Sequence, residues 1–236
     1  MPRLSEIAKL IDHSLLHPTL TDDALREGCR VARAHDVAAV CIKPYALPLA
    51  REQLAGSRVA LATVVGFPHG SGTTAIKVAE ALAACAAGAV EIDFVVNIGR
   101  VLGGDWRYVS EEIGAVNDAV LTAGAISKVI FENDFYPEDA PIVRLCEICN
   151  ERAVAFVKTS TGYGFVRRPD GSYGYAGATD HHLRLMRATC RPEIQVKAAG
   201  GIRTLDDVLR VRALGVTRIG ATATESILAE ARGRGF

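Results

Sequence analysis

The sequence predicts an α/β fold, a (β/α)8 barrel in a single domain over 1–236, and three observations carry that prediction. Apolar runs rich in β-branched residues alternate with amphipathic segments along the whole chain. That rhythm means a parallel sheet, buried on both faces and linked by helices. The length, 236 residues, is near the roughly 250 typical of such barrels. No GxGxxG follows the first runs, so the fingerprint of the open dinucleotide-binding sheet is missing.

The expected elements follow in order. A short N-terminal helix leads to IDHSLL at 11–16, the one candidate for the first strand, flanked by His13 and His17. Thr21 then caps a helix over 22–34. Further strands are expected at 37–43, 59–67, 89–97, 126–132, 154–159, 194–199 and 216–221, each almost continuously apolar. Thr74 is expected to cap a helix running to Cys85. Val109, Ile113, Val116 and Val120 recur at helical spacing on one face of 105–121. Thr179 and Thr204 are N-cap candidates for the last helices, and Gly215 suits the position after a helix C-terminus. One segment breaks the rhythm. After VKTSTG the chain runs YGFVRRPDGSYGYAGAT, with Pro169-Asp170-Gly171 as a turn signal between aromatic residues. A hairpin-like insertion over about 163–177 is expected in the loop after the sixth strand, on the face where such barrels carry their sites.

Composition narrows the function. Apolar residues make up 49% and charged residues 23%, enough for a full core and unlike a disordered chain. Lys plus Arg and Asp plus Glu both number 27, so no basic excess marks nucleic acid or an anionic membrane surface. There is no apolar stretch of membrane-spanning length and no signal-peptide core. A cytoplasmic protein is expected. The Cys146–Cys149 pair of a CxxC shares a helical stripe with Ile142 and Leu145, which places both thiols in a core; no second pair completes a zinc site. No metal is expected, and no Walker loop or GxSxG is present.

Lysine usage is the informative feature. Only six lysines stand among the 27 basic residues. Lys43, Lys158 and Lys197 each fall at or near the end of an apolar run, where a charged amine is penalised unless neutral or paired. Asp93, in VEIDFVVN, is an acid inside such a run, with Glu91 on the same face and Glu132 ending the next strand. A satisfied ion pair would explain this much. The same pair also supports chemistry: two nearby ammonium groups disfavour each other's protonation, and a neutral amine attacks a carbonyl to form a Schiff base. A carboxylate beside them can relay protons. Gly200-Gly201 and Gly220 follow the last two strands and lead into helices, an arrangement suited to a phosphate. Thr222 offers a hydroxyl there and Arg203 a guanidinium.

IDHSLLHP, VCIKP, TVVGFPHG, EIDFVVNIG, FVKTSTG, VKAAGGIRT and RIGAT occur in one order over nearly the full length. In them the chain resembles the 2-deoxyribose-5-phosphate aldolase family, class I aldolases with a (β/α)8 barrel. The resemblance implies reversible cleavage of 2-deoxy-D-ribose 5-phosphate to acetaldehyde and D-glyceraldehyde 3-phosphate. It implies Lys158 as the Schiff-base lysine, Lys197 as the second lysine that lowers its pKa, and Asp93 as the relay carboxylate. Gly162, Gly200, Gly201, Gly220 and Thr222 would hold the phosphate. Asp12 matches an active-site position, and Lys43 is a further substrate-binding candidate. No metal or organic cofactor is implied, because the imine is the electron sink. The expected partners are small sugar phosphates and aldehydes, with a homo-oligomer, dimer or tetramer. The chain departs from the family pattern at His17, at Thr222-Ala223, in the long insertion and at the C-terminal Phe236. Two alternatives stand beside this reading: a related lysine-dependent aldolase for another sugar phosphate, and a non-catalytic barrel binding a phosphorylated metabolite.

Overall fold

A computed structural model describes residues 2–167 and 170–236. Eight parallel strands close into a barrel: β1 (Ile11–Leu15), β2 (Ala39–Ile42), β3 (Ala60–Val65), β4 (Glu91–Val95), β5 (Ile126–Ile130) and β6 (Phe156–Lys158), then, after the insertion, β9 (Gln195–Ala199) and β10 (Arg218–Ala221). The insertion is a two-stranded antiparallel ribbon, β7 (Val166–Arg167) and β8 (Tyr173–Gly174). Of the turn expected to join them, Pro169 lies outside the described residues. Each barrel strand is shorter than the apolar run that announces it, by one or two residues at one end or at both, because the trimmed run ends become loops.

Helices surround the barrel: α1 (Leu4–Ala8), α2 (Asp22–Ala34), α3 (Leu47–Gln53), α4 (Thr74–Ala86), α5 (Ile98–Leu102), α6 (Trp106–Thr122), α7 (Ala140–Glu151), α8 (Asp180–Thr189), α9 (Leu205–Ala213) and α10 (Thr224–Gly233). Thr21, Thr179 and Thr204 accept the backbone N–H groups of Ala24, His182 and Asp207 as N-caps. The cap of α4 is Thr73, one residue before the expected Thr74, which is itself the first helical residue. Gly215 follows the α9 C-cap Leu214 with φ +87°, a conformation that favours glycine. Cys146 and Cys149 are buried in α7 as free thiols, and burial pushes Cys149 up.

The fold has two interiors. Between strands and helices runs a continuous apolar layer that includes Ile92, Phe94, Val129, Val157, Val196 and Ile219. Inside the barrel a small apolar cluster, Ala39, Cys41, Ala62 and Val64, lies on β2 and β3, and Phe156 of β6 shares the face of Lys158. The other strands fill the lumen with charge. Side chains alternate along a strand, so one set faces the helices and the other faces the lumen. Parallel register places Asp93 beside Lys128, Lys158 beside Lys197, and Lys197 beside Arg218. Among the described residues no helix is long and apolar enough to cross a membrane.

Candidate active site

The strand positions that carry charge converge on one cluster. Asp93 is its centre, fully buried on β4. Its Oδ1 accepts from Lys128 Nζ at 2.7 Å, and its Oδ2 accepts from Lys158 Nζ at 2.8 Å and Lys197 Nζ at 2.7 Å. Lys197 also donates to Asp12 on β1. Lys128 lies 2.7 Å from Glu91 and 3.3 Å from Asp12. On the remaining side Arg218 donates to Asp12 Oδ1 at 2.6 Å and, through both terminal nitrogens, to Glu91 at 2.9 and 3.1 Å. Asp12, Asp93, Lys158 and Lys197 are therefore brought together.

The three lysines are not equivalent. Burial disfavours the charge on each. For Lys197 the carboxylates of Asp12 and Asp93 overcome burial, and its pKa is raised. For Lys128 the carboxylates of Asp12, Asp93 and Glu91 raise it well above the ordinary value. Lys158 has one carboxylate oxygen, shared with Lys197, and both burial and Lys197 push it down; its pKa is lowered. Burial alone would raise Asp93, but Lys128, Lys158 and Lys197 hold it well below the usual carboxylate range. Lys158 is thus the amine most easily freed of its proton.

It is also the network lysine that borders the open cavity. A cavity of about 350 Å³ sits over the C-terminal ends of the strands, with Lys158 in its floor. One wall is Gly162, Gly200, Gly201, Arg203, Gly220 and Thr222. Gly200 and Gly201 both have positive φ, +84° and +85°, and a Cβ on Gly177 would meet the Gly200 carbonyl at 2.5 Å. The chain can pass here only without side chains. Thr222 precedes the N-terminus of α10, whose dipole favours an anion. The α9 end is different: Asp207 already accepts the backbone N–H groups of Arg203 and Thr204. Tyr163, Phe165 and Tyr175 from the insertion add aromatic rings to the lining, with Tyr175 beside Gly200.

The insertion is tied at both ends to the loop after β5. Glu132, buried and with φ +58°, accepts the Thr161 backbone N–H at 3.0 Å and its hydroxyl. Asp134 accepts the N–H groups of Ala176 and Gly177.

Other candidates fall elsewhere. Lys43 is not a third member of the network. It is half-buried after β2, donates to the carbonyls of His17 and Leu20, and faces an adjoining cavity with Phe67, Pro68 and Glu80. The third lysine of the network is Lys128, which sequence reasoning passed over together with Arg218. The signal was present: Lys128 in ISKVIF interrupts an apolar run just as Asp93 does. His13 does not flank β1 but lies within it, bonded to Thr224 Oγ1 at 2.8 Å, and burial takes it down to about 4. His181 is exposed and paired with Asp139. With His182 these place donor atoms within 4.8 Å of one another, between the starts of α7 and α8.

This geometry, an amine at the foot of a cavity with an anion cradle on one side, can hold a phosphorylated carbonyl compound and condense with it. The comparisons agree with that chemistry. The model of the DeoC/LacD family aldolases matches residues 7–223. A deoxyribose-phosphate aldolase of Rhodopirellula baltica is 52% identical over 227 residues, 96% of this chain and 90% of that protein. That of Caldanaerobacter subterraneus subsp. tengcongensis is 40% identical over 233 residues, 99% and 96% of the two chains. The tetrameric deoxyribose phosphate aldolase structure from Aeropyrum pernix superposes with a TM-score of 0.86 at 25% identity, covering 98% of this chain and 93% of that one. The chain belongs to the DeoC/LacD family of aldolases.

Proposed function

We propose that the chain cleaves 2-deoxy-D-ribose 5-phosphate reversibly to acetaldehyde and D-glyceraldehyde 3-phosphate through an imine on Lys158. One observation carries the reading: Lys158 is the least compensated amine of the lumen network and the network lysine that lines the cavity. Its neutral amine adds to the C1 aldehyde, and loss of water gives the imine. The C3 hydroxyl then gives up its proton as the C2–C3 bond breaks. The electron pair moves to the imine nitrogen and leaves an enamine, while the phosphorylated three-carbon aldehyde departs. Protonation at C2 and hydrolysis release acetaldehyde and restore the amine. Asp93 and Lys197, in contact with Lys158 or its carboxylate, relay these protons through solvent admitted by the cavity. The substrate phosphate lies against Gly162, Gly200, Gly201, Gly220 and Thr222, with Asp12 holding Lys197 in place. The electron sink is the imine, so these steps call on no metal or organic cofactor.

The protein acts in the cytoplasm as a homo-oligomer. The outward residues Ile76 and Leu82 of α4, both exposed, suit a second subunit, and the Aeropyrum pernix relative is tetrameric.

Reductive trapping tests the reading. Incubation with 2-deoxyribose 5-phosphate and borohydride, followed by peptide mass spectrometry, is expected to leave a reduced adduct on Lys158. Cleavage without an adduct on Lys158 would move the nucleophile elsewhere. Binding without cleavage or adduct would leave only a phosphometabolite-binding barrel, and faster cleavage of another sugar phosphate would replace the substrate.

A further inference from the structure

The lumen network is unbalanced in charge. Lys128, Lys158, Lys197 and Arg218 stand against Asp12, Glu91 and Asp93, four cations against three carboxylates. Three of the cations are lysines at the centre. The fourth, Arg218, approaches from the N-terminal end of β10, its side chain 14% exposed, and its guanidinium stays charged in proteins. We propose that Arg218 is a positioning residue that acts through the network: by engaging Asp12 and Glu91 it leaves the cluster one positive charge in excess, and that excess is relieved by loss of the Lys158 proton into the cavity.

Geometry supports the assignment. Arg218 binds Glu91 through both terminal nitrogens and Asp12 through one. It therefore shares two carboxylates with Lys128 and one with Lys197. Neither of its partners contacts Lys158, so the carboxylates it occupies do nothing for that amine directly. Lys158 is left with Asp93 Oδ2, the oxygen it shares with Lys197. Loss of one proton from Lys158 to solvent leaves three cations facing three carboxylates. The other groups facing the lumen make no ion pair with the cluster. Cys41 on β2 is a thiol pushed up to about 11 by burial first and by Asp93, so it is neutral. The lumen side chains of β3, Ala62 and Val64, do not titrate. Glu132, on the loop after β5, turns both oxygens to Thr161 and makes no ion pair with a network cation; burial raises its pKa and so disfavours its charge, while Lys158 acts on it through space in the opposite sense. Arg218 also lies 5.4 Å from the Phe156 ring, a contact that a long neutral side chain can keep.

The inference rests on Lys158 being the reactive amine, so its test reads the proton on that amine rather than turnover. The intact protein is labelled with trace acetic anhydride at pH values from about 5 to 10, and acetylation of the Lys158 peptide is quantified by mass spectrometry. Arg218→Met gives three cations against three carboxylates. The midpoint of Lys158 labelling is expected to rise by about one unit, roughly a tenfold loss of labelling at neutral pH. Glu91→Gln widens the excess and is expected to move the midpoint down. Arg218→Lys keeps the charge while losing the two-nitrogen contact, and is expected to stay near the wild-type profile. An unmoved midpoint in folded Arg218→Met overturns the inference, as does an equal rise in Arg218→Lys. If Arg218→Met does not fold, an upward or absent shift in Glu91→Gln overturns it instead. Failure of the wild type to cleave deoxyribose phosphate would remove the proposed function and leave these shifts readable.

Discussion

Two places in this molecule bury a lysine completely, and they do opposite things with it. On α4, Lys77 faces Glu112 of α6 at 2.9 Å and donates to the Val95 carbonyl at 2.8 Å. Glu112 turns its other oxygen to the Asn97 backbone N–H. One cation meets one carboxylate, both without solvent exposure. In the lumen, Lys158 is buried to the same degree but shares its carboxylate with two other lysines and borders a cavity. Burial lowers the pKa of both amines. What separates them is charge stoichiometry and access. A balanced pair sealed between helices is a strut. An unbalanced cluster open at one end is a place where a proton can leave and a carbonyl can enter. Burial alone does not mark a reactive amine.

The sharpest way to break this contrast is to remove each lysine in turn. Lys158→Ala is expected to abolish cleavage, a fall of ~10⁴-fold or more measured as kcat/KM, while the circular dichroism spectrum and melting temperature stay near wild type. Appreciable residual turnover would mean the reactive amine lies elsewhere. Lys77→Met should do the reverse. It leaves Glu112 buried without its partner, a loss of about 3–5 kcal/mol. At this chain length that lowers Tm by about 10 °C. Activity per folded molecule should be unchanged, and a parallel fall in kcat would show that the strut reaches the site.

The difference between the two lysines was only half legible in the sequence. The barrel could be read because each strand run is mostly apolar, and the rhythm survives errors of one or two residues at the strand ends. Lys158, Lys197 and Asp93 could be read because a charged residue inside such a run is conspicuous. Lys43 stands apart from them because its strand ends one residue before it, at Ile42, and backbone carbonyls satisfy it in the loop. Lys128 and Arg218 carry the same signal as Asp93, yet their place in the cluster depends on register between strands distant in sequence. Lys77 gave no strand signal at all; its burial comes from packing between α4 and α6. The phosphate wall needed the resemblance for Gly162, since a lone glycine after a strand specifies nothing by itself.

A second variant sharpens the lumen side. Lys197→Leu takes one cation from the cluster and leaves three against three, so Lys158 keeps its proton. The sign is fixed by Coulomb repulsion: removing a neighbouring positive charge raises the Lys158 pKa. The pH dependence of imine trapping is expected to move upward by about one unit, equivalent to ~1.4 kcal/mol. Loss of the proton relay lowers the rate as well, so the position of the profile, rather than its height, carries the argument. An unmoved profile would remove Lys197 from control of Lys158.

The smallest expected effect is the most diagnostic for the strut. If Lys77 and Glu112 serve only each other, replacing both should be nearly neutral where replacing either one is not. The double variant Lys77→Met, Glu112→Leu removes two buried charges together and fills similar volume. Well-packed apolar replacements of buried ion pairs are often neutral or stabilising. Two groups limit the gain: the Asn97 N–H loses its acceptor on Glu112 and the Val95 carbonyl loses the Lys77 ammonium, and an unreplaced partner costs about 1–3 kcal/mol. The expected net change in Tm is therefore a few degrees at most, well short of that in Lys77→Met alone. Urea unfolding of the two single variants and the double variant closes the cycle and yields the coupling energy. A double variant as unstable as the worse single one would mean that each charge holds something besides its partner. The same replacement has no counterpart in the lumen, where Lys158 and Asp93 are shared among several groups and their joint loss removes the chemistry.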